Sequence, residues 1–139
     1  MTPWSFLLGE WTGRGSLREG DLDSKTDVTT LVGSNLRSDL VCWSGGEEVH
    51  REQTIWFEHP DIGPCALSLD GHGRATHWRV REEAPGHLEL TPADWEGEER
   101  RSLLWTLRLR PDGTLEETYS EGEGDEPTVR LEHVRKRDS

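Results

Sequence analysis

The sequence predicts an all-β chain of about ten short antiparallel strands closed into an up-and-down barrel. Three observations carry that reading. Apolar and polar residues alternate over short runs, and Gly, Pro, Asp and Asn separate those runs at regular spacing. No segment has a helical period long enough to supply the crossovers that a parallel sheet needs.

The elements follow in order. Trp4–Leu8 reads as one short helical turn, with Thr2 as cap and Pro3 at the first helical position. Glu10–Glu19 alternates, with Trp11, Gly13, Gly15 and Leu17 on one face, and Gly20-Asp21 reads as its turn. Lys25–Val32 is rich in Thr and Val, and Gly33-Ser34-Asn35 turns the chain into Leu36–Trp43. Ser44-Gly45-Gly46 is a hairpin signal before Val49–Phe57, where Val49, Ile55 and Phe57 share a parity. Cys65–Leu69, Arg74–Glu82 and His87–Leu90 are the next strands, and Thr91–Glu99 is a polar loop carrying Trp95. Arg101–Arg110 places Leu103, Trp105, Leu107 and Leu109 on one face. Pro111-Asp112-Gly113 turns into Thr114–Ser120, and an acidic loop leads to a last strand, Thr128–Arg135.

Ten strands in an open sheet would leave two unpaired edges, and closure removes them. Closure at this strand number leaves interior space beyond the side chains. The 139 residues suffice for one core, so the whole chain, 1–139, is read as one domain. Only 31% of residues are hydrophobic, but seven tryptophans spread along the chain supply large buried areas.

A formal net charge of −12 argues against nucleic acid and anionic membranes as partners. The basic run Arg135-Lys136-Arg137 is too short to reverse this. The N-terminus lacks a basic region and a long apolar run, and no stretch reaches membrane-spanning length. A cytoplasmic protein with reduced Cys42 and Cys65 is expected, and a Cys42–Cys65 disulfide is the minor alternative. The oligomeric state is open, with a homodimer allowed.

Leu7-Leu8-Gly9-Glu10-Trp11-Thr12-Gly13-Arg14-Gly15 resembles the Gly-x-Trp-x-Gly-x-Gly signature that opens calycin barrels, the lipocalin and fatty-acid-binding-protein architecture. The resemblance implies that Trp11 lies across the barrel base, that the preceding turn is a helical plug, and that the glycines let the first strand bend. Leu31-Val32-Gly33-Ser34-Asn35-Leu36, Gly45-Gly46-Glu47 and the final acidic hairpin with its basic strand are similar to a bacterial family of uncharacterised lipocalin-like proteins and to the nitrobindins.

The nitrobindin resemblance implies haem held by one histidine of the last strand, the other iron face being open to nitric oxide or peroxynitrite. Here that residue is His133, although the family's histidine sits nearer the strand start, around Val129–Leu131. A solvated strand end is the bland alternative for His133. Fatty-acid-binding proteins hold a carboxylate with two Arg and a Tyr, and Arg108, Tyr119 and Arg130 lie one in each of the last three strands. Arg108, however, has the parity opposite Trp105, Leu107 and Leu109. His77, with Arg79 and Arg81, is a further candidate for an interior polar face, against a plain solvent-facing one.

No Gly-rich phosphate loop, nucleophile elbow or HExxH occurs, and no histidine pair has metal spacing. No catalytic residue, metal or required cofactor is therefore assigned. The leading expectation is a binding protein for a small hydrophobic or amphipathic molecule inside the barrel. The alternatives are a haem protein of nitrobindin type, betrayed by a Soret band, and a non-catalytic interaction domain using surface tryptophans such as Trp95.

Overall fold

A computed structural model describes residues 2–18, 20–94, 103–121 and 127–136. The ten strands are β1 (Gly9–Leu17), β2 (Gly20–Thr30), β3 (Leu36–Ser44), β4 (Glu47–His59), β5 (Gly63–Asp70), β6 (Ala75–Ala84), β7 (His87–Pro92), β8 (Leu103–Leu109), β9 (Leu115–Glu121) and β10 (Val129–Arg135). Each strand pairs antiparallel with its sequence neighbours, and β1 pairs with β10 to close the barrel. Trp95 and most of the acidic loop after β9 lie outside the described residues.

Two sequence expectations need correction. The expected short turn over Trp4–Leu8 is a three-residue 3₁₀ turn, Ser5–Leu7, begun at Trp4 rather than at Thr2, and it is too short to count as a helical plug. Its Trp4 N-cap makes no side-chain capping bond. Trp4 and Leu7 are nonetheless buried in the main core with Trp11. The turn between β1 and β2 comes before Gly20, because Gly20 already pairs with Leu17. Arg18 adopts φ 54 there, and Gly20-Asp21 belongs to the strand.

The register explains the signature glycines. Gly15 lies against Leu131 and neighbours Arg130, and a Cβ on it would stand 1.7 Å from the Arg130 carbonyl oxygen. Only a residue without a side chain lets β1 approach β10 this closely. At Gly13 a Cβ would meet Ser24 Oγ at 2.4 Å and His133 Nδ1 at 2.5 Å, so glycine makes room for the His133 ring.

The main core fills one end of the barrel with Trp4, Trp11, Trp56, Leu88, Leu90 and their neighbours. A smaller cluster of Leu22, Cys42 and Leu131 lies toward the other end. On β4 the buried positions are Thr54 and Trp56, so Ile55 and Phe57 face outward. The inward parity of that strand is thus the more polar one. Among the described residues no helix is long and apolar enough to cross a membrane.

Candidate functional site

The alternation of each strand sends every second side chain inward, and toward one end of the barrel these side chains do not fill the space. A chamber of about 550 Å³ remains there. Its apolar wall comes from Leu22, Leu40, Leu103 and Leu131, with Trp78, Trp105 and Tyr119. Beneath it lies a second cavity of about 40 Å³ bounded by Trp11, Trp56, Leu107 and His133. Leu40, Glu52, Trp105 and Glu117 line both spaces and so form the chamber floor.

The tryptophans are held by their N–H groups. Trp56 donates to Ser38 Oγ and Trp78 to Ser68 Oγ, each at 2.8 Å. Trp105 donates to Glu117 Oε2 at 2.7 Å. Trp11 donates to the Leu7 carbonyl at 2.9 Å, and Trp4 to that of Ser34 at 3.1 Å. Pairing these donors removes the cost of burying them. The rings form a run: Trp4 to Trp56 at 6.2 Å, Trp56 to Trp105 at 5.5 Å, Trp105 to Trp78 at 5.3 Å and Trp78 to Tyr119 at 6.2 Å.

His133 is 1% exposed, so it is an interior residue rather than a solvated strand end. Its Nε2 lies 2.9 Å from Glu117 Oε1, and Ser24 Oγ lies 3.5 Å from its Nδ1. Nε2 points at the Glu117 carboxylate and is taken up by that pair. An axial ligand needs an unprotonated nitrogen facing open space. The Nε2 side is closed by Glu117, and the Nδ1 side by Ser24 and Gly13. The ring borders only the smaller cavity. These residues do not fit haem ligation by His133.

Further polar side chains line the chamber. His50 Nε2 lies 3.0 Å from Glu52 Oε2, and that bond raises the His50 pKa above its ordinary value. Arg74 Nε lies 3.3 Å from Asp70 Oδ2, and hydrogen bonds from the Arg74 and His72 backbone lower the Asp70 pKa. Burial pushes the Tyr119 phenol up, so it remains a neutral donor at physiological pH. The Cys42 thiol is pushed up to about 12 by burial, with Glu117 and Glu52 adding to it. It is not a nucleophile at neutral pH.

The expected carboxylate-binding trio is not assembled. Tyr119 lines the chamber, but Arg108 and Arg130 are exposed on the outer face, opposite in parity to Leu107 and Leu131. His77 also points away from the interior, against the buried parity of Trp78 and Val80. It is nevertheless buried, with Nδ1 3.2 Å from the Ala93 carbonyl oxygen and its ring near Phe57. Cys42 and Cys65 are both free: Cys42 borders the chamber, and Cys65 pairs in register with the outward-facing Phe57 and Arg79. Among the described residues no group of three His, Cys, Asp or Glu side chains could hold a metal ion.

Sequence reasoning missed Glu52, Glu117 and His50. A signal existed for Glu117, which has the parity of Leu115 and Tyr119 on β9. No protein-family model matches this chain, and no curated protein matches it either.

Proposed function

We propose that this chain is a lipocalin-like binding protein that takes a small, mainly apolar molecule into the barrel interior. The observation that carries this reading is the chamber of about 550 Å³, walled by Trp78, Trp105 and Tyr119 and by leucines. Sites for small organic ligands run from roughly 300 to 1,000 Å³, and combine an apolar lining with a few placed polar groups. The first glycines of the chain, and Trp11 with its N–H held by Leu7, support the lipocalin-like type. The chemistry asked of the protein is desolvation and orientation, because burial keeps the chamber's thiol protonated.

The test is titration with the neutral probe N-phenyl-1-naphthylamine, read by probe emission and tryptophan quenching. Saturable binding at one site is expected. Thr76→Phe, which builds a ring into the chamber wall, should abolish it while leaving the circular dichroism spectrum unchanged. Absence of saturable binding, or binding indifferent to Thr76→Phe in a folded variant, would refute the proposal.

A further inference from the structure

The two ends of the chamber differ in charge. Its guanidinium groups, Arg18 and Arg74, sit where the β1–β2 and β5–β6 turns meet the barrel, and both are exposed. Arg74 is already paired with Asp70. The floor carries Glu52 and Glu117, whose side chains are 22% and 13% exposed. Glu117 accepts from Trp105 and His133, one bond on each oxygen. Glu52 receives His50 on Oε2, and no described residue bonds its Oε1. Among the described residues of the lining, four carboxylates (Glu52, Asp70, Glu117 and Glu121) face two guanidinium groups. The carboxylates stay in excess even when His50 is charged.

We propose that the chamber selects amphiphiles with a cationic, hydrogen-bond-donating head, a primary amine above all, and rejects carboxylates. This rests on the chamber being a binding site. The head group sits at the floor, where an ammonium donates to Glu52 Oε1 and meets the aromatic wall of Trp105 and Tyr119. Charge-assisted bonds of this kind strengthen as water is excluded, and an ammonium near a ring face gains further. A carboxylate placed there would meet Glu52 and Glu117 with no guanidinium within the floor, because Arg108 and Arg130 face outward. Like charges juxtaposed at a binding site are strongly unfavourable. The apolar tail then lies along Leu22, Leu103 and Leu131 toward the mouth.

The test uses three ligands of one tail length, decylamine, decan-1-ol and decanoate, titrated into the full chain at physiological salt and neutral pH. Tryptophan emission gives each dissociation constant. Decylamine should bind about tenfold or more tighter than decanol, with decanoate weakest. Glu52→Gln should bring amine and alcohol to within about threefold by weakening the amine. That variant separates the floor carboxylate from general attraction to an acidic surface, which salt screens. Decanoate equal to or tighter than decylamine overturns the inference, as does an amine preference that survives Glu52→Gln. If none of the three binds while the neutral naphthylamine probe does, the head-group inference alone fails. If the probe fails too, the binding-site reading falls with it.

Discussion

Replacing Gly13 with alanine tests the link between the signature glycines and the buried polar pair. The added methyl would lie 2.4 Å from Ser24 Oγ and 2.5 Å from His133 Nδ1, both inside contact distance. The Ser24 hydroxyl can rotate away. The ring has less freedom, being 1% exposed and bound to Glu117 at 2.9 Å. Overpacking of a filled interior costs roughly 1–3 kcal/mol. Tilting the ring off Glu117 leaves a buried acceptor under-bonded, for about 1–3 kcal/mol more. A loss of about 2–6 kcal/mol follows, on the order of 8–24 °C in melting temperature at roughly 4 °C per kcal/mol for a chain of this size. Thermal melts followed by near-ultraviolet circular dichroism give the number. His133→Ala should also destabilise, but the two changes together should cost less than their sum, because removing the ring vacates the space the methyl needs. A Gly13→Ala melt within about 2 °C of the parent, or strictly additive costs in the pair, would refute the reasoning.

Three further outcomes are expected. The bond to Glu52 raises the His50 pKa in the fold, so its stabilisation is complete below the unfolded value of about 6.5 and disappears as pH rises through the folded value. Melting temperature should therefore fall between mildly acidic and alkaline pH more steeply in the parent than in His50→Gln. Cys42 and Cys65 are buried with raised pKa values, so Ellman's reagent should label neither in the native protein and both after unfolding in guanidinium chloride. Arg108→Ala and Arg130→Ala, at exposed outer positions, should change probe affinity by less than about twofold. A larger loss would place those guanidinium groups at the ligand.

The strands were legible because alternation and turn residues are local. Trp105 and Leu107 show their inward parity by simple alternation, and so do Leu36, Leu40 and Cys42. Gly20-Asp21 reads locally as the better turn dipeptide, while the Leu17–Gly20 pairing puts the β1–β2 turn ahead of Gly20. The site was harder to read, because hydrophobicity ceases to mark the inside where a barrel keeps a chamber. On β4 the apolar parity of Ile55 and Phe57 faces out, while His50, Glu52 and Thr54 face in with Trp56. His133 and Glu117 sit 16 residues apart on neighbouring strands. Their pairing depends on the β9–β10 register, which no local pattern in the sequence specifies.

The run of indole rings from Trp4 through Trp56 and Trp105 to Trp78 has an optical consequence. Neighbours at 5.3–6.2 Å are close enough to exchange excitation energy, so light absorbed at the packed end reaches the ring beside the chamber. Emission therefore behaves as one collective signal, and a quencher beside Trp78 darkens indoles it never touches. The same coupling adds aromatic bands to the far-ultraviolet dichroism, on top of the weak signal of the strands.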